Sequence, residues 1–157
     1  MSLYPGSGFV VVKTGTDVAA NTEWSETVPS GKVWELRAIS VALVQGATQT
    51  PRPILIVDNG TTTFYECFGA SDAQAESTTC RYNWAPGLTL SAVTGATTDV
   101  HATAPLPAGL VLRAGYRVRT STTGKGANSN YGAPALLVVE VDVKYSATAL
   151  PATESFA

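Results

Sequence analysis

The chain has 157 residues and a net charge of −2 at neutral pH, and charged residues make up only 14% of it. A pI of about 5.3 gives no general attraction to nucleic acid or to an anionic membrane surface, and no apolar run approaches the roughly 20 residues of a membrane span. The length suits one domain with a substantial core, and low charge with many Thr, Ala, Gly and Val residues points to a β-rich body that leaves little surface to bulk water.

Residues 1–8, M-S-L-Y-P-G-S-G, read as an extended arm broken by Gly and Pro. The arm lacks the basic start and apolar middle of a signal peptide, so synthesis in a cytoplasm without export by the usual route is expected. Phe9–Lys13 predicts a first strand and Thr14–Asn21 a polar connection. Trp24, Glu26 and Val28 alternate with Ser25 and Thr27, a short strand running into a Pro29–Gly31 turn.

The longest strand signal follows, up to Val44. Trp34, Leu36 and Ala38 fall on one face and Glu35 and Arg37 on the other, the period of two of a half-buried strand. From Ile39 the phase changes, and Ile39, Val41 and Leu43 load the opposite face. Either a bulge lies near Ala38–Ser40, or this half is covered on both faces. In the second case Ile39, Val41 and Leu43 are interface residues.

Gln45–Arg52 predicts a loop. Ile54–Val57 predicts a strand buried on both sides, with Pro53 at its start. Asp58-Asn59-Gly60 is a turn signal, and Thr61–Phe68 the returning strand. Gly69–Thr79 reads as a surface loop. Cys80, Tyr82 and Trp84 share one face of the next strand, which ends at the Ala85-Pro86-Gly87 turn. Leu88–Val93 predicts a strand, Thr94–Thr98 a loop, and Val100–Thr103 a short strand carrying His101. Pro105–Gly109 repeats the Pro-x-Gly strand start. Leu110 and Leu112 then point inward, Ala114-Gly115 turns the chain, and Tyr116, Val118 and Thr120 alternate with Arg117, Arg119 and Ser121. Thr122–Pro134 is a loop. In Leu136–Tyr145, Leu137, Val139, Val141, Val143 and Tyr145 share one face against Glu140, Asp142 and Lys144. Residues 146–157 read as a tail.

Nine or ten short strands punctuated by Gly and Pro, without an amphipathic helix, predict an all-β fold: an antiparallel, jelly-roll-like β-sandwich over residues 9–145, with the arm and tail at its ends. Cys67 and Cys80 serve as reduced core residues or as a cross-hairpin disulfide, and one histidine in the chain leaves little for a Cys/His zinc site. His101 lies on the polar side of its strand and has no matched nucleophile pattern. Glu140 and Asp142 are expected as cross-strand partners of Arg117 and Arg119 if those strands pair. Gly124-Lys125-Gly126 lacks the remaining glycine and the Ser/Thr of a phosphate loop. Trp24, Trp34 and Trp84 alternate in phase with apolar neighbours, which favours burial over a sugar-stacking face. No enzyme, cofactor or metal is expected.

V-P-S-G-K-V-W-E-L-R-A-I-S-V (Val28–Val41), A-P-L-P-A-G-L-V-L-R-A-G-Y-R-V-R-T-S-T (Ala104–Thr122) and L-L-V-V-E-V (Leu136–Val141) together resemble small virion structural proteins of tailed bacteriophages. The resemblance implies a non-enzymatic virion protein made in the host cytoplasm. A capsid decoration (cement) protein bridging capsid subunits is favoured, with a tail, neck or head-fibre component that binds host glycan as the alternative. Its implied partners are the major capsid protein or other virion proteins and copies of itself, a homotrimer being favoured, with no nucleic acid or membrane. The expected interface residues are Leu3, Tyr4, Ile39, Val41, Leu43, Leu150 and Phe156.

Overall fold

A computed structural model describes residues 8–46, 48–96 and 99–143. It is all-β among these residues, with twelve strands: β1 (Gly8–Thr14), β2 (Ser25–Thr27), β3 (Lys32–Val44), β4 (Arg52–Asp58), β5 (Thr63–Phe68), β6 (Thr79–Ala85), β7 (Thr94–Ala96), β8 (Asp99–Pro105), β9 (Leu110–Arg113), β10 (Arg117–Thr123), β11 (Asn130–Tyr131) and β12 (Ala135–Asp142). Apart from Gly8, the expected arm and the tail over 146–157 lie outside the described residues, as do Lys144 and Tyr145.

Two sheets pack face to face. The larger runs β1-β12-β3-β6-β8-β7, with β9 and β11 also pairing with β3; the smaller runs β2-β10-β4-β5. Strand β3 organises the first sheet because both of its edges are occupied along its length. β12 and β11 take one edge, and β6 and β9 divide the other. The hydrogen bond from Lys32 N–H to Pro29 C=O (3.2 Å) starts its entry turn at Pro29, and Gly31 supplies the positive φ of 75° that the turn needs at its third residue.

The phase change in β3 is a bulge. Val138 of β12 opposes Leu36 and Leu137 opposes Ala38, so Arg37 is the extra residue. Two residues instead of one therefore separate the inward-pointing Leu36 and Ile39. Ile39, Val41 and Leu43 join Trp34 and Leu36 in one core with Leu55, Val57 and Val118 of the smaller sheet. In β4, Leu55, Ile56 and Val57 are buried as expected, and Ile54 is half-buried.

Two expectations are corrected. First, β6 and β8 pair in parallel, so the larger sheet is mixed. After β6 the chain crosses to the sheet margin as β7, and β8 returns into the slot between them. Second, Leu88–Val93 is not a strand, whereas Thr94–Ala96, expected in a loop, is one. Ser91 Oγ accepts the Thr103 N–H (2.9 Å) while Ser91 N–H bonds the Thr103 carbonyl (2.9 Å), so a side chain interrupts the backbone ladder at this point. Strand β12 turns Leu136 and Val138 to the core. Leu137, Val139 and Val141 lie on the opposite face, outward from the sandwich and beside Val10 and Val12 of β1.

Candidate assembly interface

Ile39, Val41 and Leu43 are at most 1% exposed. The bulge has placed them in the core, so they are not a surface for a partner, which corrects the expectation for these three. Leu3, Tyr4, Leu150 and Phe156 lie outside the described residues.

The exposed apolar surface lies at the margin of the larger sheet. Strand β1 is terminal in that sheet, and among the described residues no strand pairs with its outer edge. It carries Phe9, Val10 and Val12 at 78%, 67% and 65% exposure. Because β1 pairs with β12 in register Val10↔Val139 and Val12↔Leu137, the two valines lie beside buried Val139 and half-buried Leu137 on the outward face of the sheet. Next to them a shallow groove of about 270 Å³ crosses the same face, lined by Val12, Leu137, Ala135, Ala38, Ser40 and Ala85 among others. The four-residue run Phe9–Val12 was visible in sequence. Its position at a free edge was not, since edge and centre differ by a pairing partner and not by a local pattern.

Charge is tied up close to this margin. Glu140 accepts Trp34 Nε1–H (2.7 Å) and pairs with Lys13 Nζ (2.8 Å), while Lys32 contacts both Glu140 and Asp142. Burial works against the Glu140 charge, but the Lys13 and Trp34 hydrogen bonds prevail and its pKa lies below the ordinary value. Arg117 and Arg119 belong to the other sheet and pair with Asp58, not with Glu140 and Asp142 as expected: Arg117 Nε lies 2.7 Å from Oδ1 and Arg119 Nε 2.6 Å from Oδ2. Strands β10 and β12 belong to different sheets, so the condition for that pairing is not met.

Sequence reasoning missed two polar clamps. Gln74 is fully buried in the loop after β5, donating to the carbonyls of Leu43 (3.0 Å) and Thr78 (2.9 Å) and accepting from Tyr82 OH (3.1 Å). Lys125 of Gly124-Lys125-Gly126 pairs with Glu23 Oε1 (2.7 Å), and Glu23 also holds the N–H and hydroxyl of Thr122. A buried glutamine in a polar loop has no local signature, and the Glu23–Lys125 pair joins residues distant in sequence.

The remaining candidates give no converging chemistry. Cys67 and Cys80 are free thiols in different sheets, and burial pushes the Cys80 thiol up to about 11. His101 is exposed on β8, opposite Arg81 of β6 and Thr94 of β7. Among the described residues no group of three His, Cys, Asp or Glu side chains is placed to hold a metal ion. Trp24, Trp34 and Trp84 are buried, as their phase suggested. Of the exposed aromatic rings, Phe64 stacks on Tyr116 (centroids 5.0 Å apart) and Phe68 lies under Arg52 (3.7 Å). Comparison of the chain with protein-family models, curated proteins and solved structures finds no match.

Proposed function

We propose that this chain is a non-enzymatic structural subunit of a tailed-phage virion, a capsid decoration (cement) protein on the outside of the head. The observation that carries the reading is the β1 edge, unpaired among the described residues and carrying exposed Phe9, Val10 and Val12. An exposed edge of this kind is a liability in a free monomer and an asset in a subunit whose margins are covered by neighbours. The resemblance of the turn-and-strand motifs to those of small phage virion proteins directs the reading to a particle. A decoration protein acts by adding buried area across the boundaries between capsid subunits, which opposes the outward pressure of packaged DNA. Its partners on this reading are the major capsid protein and copies of itself. The burial of all three tryptophans weighs against the glycan-binding alternative, which needs open stacking surfaces.

The test is antibody labelling of particles purified from cells that produce the chain. Labelling distributed over the heads is expected, with earlier rupture of heads that lack the chain when they are heated. Labelling confined to tails, or absence of the chain from particles, overturns the proposal.

A further inference from the structure

We infer that the β1 edge pairs with the β1 edge of a second copy of this chain, antiparallel and centred on Val11, joining the two larger sheets into one. The inference rests on reading β1 as an association surface but not on the virion assignment. It also differs in symmetry from the trimer that the resemblance favours, because pairing one edge with itself is two-fold.

The backbone selects the register. Gly15 N–H donates to Pro134 C=O (2.7 Å), continuing the ladder in which Thr14 opposes Ala135. Alternate residues of an antiparallel strand turn their N–H and C=O to opposite sides. The odd-numbered residues therefore face β12, and Gly8, Val10, Val12 and Thr14 face the free edge. A two-fold centre at Val11 matches Gly8 with Thr14 and Val10 with Val12 of the other copy, so every outward-facing residue of the strand finds a partner. Moving the centre to Val10 or Val12 leaves an end residue of each strand unmatched.

The side chains agree with that register. Val10 meets Val12 on the outward face, merging the two apolar strips. On the other face Phe9 meets Lys13, the strand's only charge, so like charges are not opposed. Lys13 would normally guard an edge against pairing, but Glu140 already holds it at 2.8 Å, and its alkyl stem can lie along the Phe9 ring. The other sheet margins fit less well. β2 and β7 have three residues each, and the exposed rings of β5 are engaged by Tyr116 and Arg52. A seven-residue strand pair falls below the roughly 1,200 Å² of a standard stable interface. Pairing is therefore concentration-dependent in solution and reinforced where copies are held side by side.

Sedimentation velocity from micromolar to millimolar concentration should show a monomer passing to a dimer. Val12→Pro removes an outward N–H and no β12 hydrogen bond, so it should leave the fold intact and weaken the dimer about tenfold or more. In a Cys67→Ser background, Val11→Cys should cross-link through its own copy, since facing non-hydrogen-bonded Cα atoms lie about 4.5 Å apart. Phe9→Cys alone should not cross-link, whereas Phe9→Cys with Lys13→Cys should. A monomer at every concentration, a dimer indifferent to Val12→Pro, or cross-linking at Phe9→Cys and not Val11→Cys overturns the inference. If Val12→Pro fails to fold, the cross-linking pattern decides. A dimer with this pattern and no chain in particles removes the virion reading alone; head labelling without dimers removes only the pairing.

Discussion

Asp58 offers a quantitative test of how the smaller sheet is held together. The side chain ends β4 directly opposite Arg117 of β10 and is 3% exposed. Burial raises its pKa, but hydrogen bonds from Arg117, Arg119 and the Gly60 N–H (2.9 Å) outweigh this and bring it from 3.8 to about 2. At about 1.4 kcal/mol per pH unit, that difference is worth roughly 2 kcal/mol of folding stability. Water contact with the guanidinium groups, which are about a third exposed, trims it to about 1–2 kcal/mol. The folded value lies below the unfolded one, so the contribution is fully present above about pH 4 and disappears as pH falls from there toward 2. Asp58→Asn should lower the thermal midpoint by about 2–8 °C at pH 7, using about 2–4 °C per kcal/mol for a chain of this size. Glu23 and Glu140 also have lowered values and destabilise the folded chain in acid, but both variants share them. The informative quantity is thus the gap between wild type and Asp58→Asn in calorimetric scans at a series of pH values. It should shrink below pH 4. A gap that stays constant down to pH 2.5, or no gap at neutral pH, would refute the account.

Ile39→Ala should cost about 2–5 kcal/mol in urea unfolding, while Val10→Thr should stay within about 0.5 kcal/mol, because the bulge puts the first in the core and the second outside it. Gln74→Ala removes the donor to the carbonyls of Leu43 and Thr78 and leaves the buried Tyr82 hydroxyl without its acceptor, and should cost about 1–3 kcal/mol, with amide exchange accelerating first between residues 69 and 79. A double-mutant cycle of Glu23→Gln and Lys125→Met should give a coupling energy of about 1–3 kcal/mol, since the Lys125 side chain is only 10% exposed; a coupling near zero would reduce the pair to a surface contact.

The parts of the fold legible in sequence are those set by local backbone chemistry. Alternation located β3, β6, β10 and β12, and glycines with positive φ at 31, 87 and 115 fall in the turns that composition marked. Features needing a partner's identity were not legible. Nothing in V-W-E-L-R-A-I states that Arg37 is the extra residue, because the bulge is defined by the ladder to Leu137 and Val138. Leu88–Val93 has a strand's composition, but Ser91 substitutes its hydroxyl for a backbone acceptor. The choice of Glu140 and Asp142 for Arg117 and Arg119 matched charges correctly and sheets wrongly. At the candidate interface, β12 is apolar on both faces from Leu136 to Val139, so alternation could not say which set faced outward.

The bulge also determines what kind of association the molecule can offer. A regular β3 would turn Ile39, Val41 and Leu43 out of the core, forfeiting about 1.5–3 kcal/mol for each buried side chain. It would also place a broad apolar face at the centre of the sheet, where a partner can only pack flat against it. With the bulge, the outward residues of the second half of β3 are Ala38, Ser40 and Ala42, small and half-buried. Glu35 and Arg37, paired at 2.9 Å, make the neighbouring outward surface polar. The exposed apolar excess is displaced two strands away, to Val10 and Val12 of β1. There the surface borders a row of backbone donors and acceptors that no strand among the described residues pairs with, so a partner gains hydrogen bonds along with apolar burial and is held in one register. Face packing at β3 would leave the larger sheet at its present width, whereas addition at β1 extends it. The signature that separates the two is protection of β1 amides from exchange on association, confined to Gly8, Val10, Val12 and Thr14, because the odd-numbered amides are already bonded to β12.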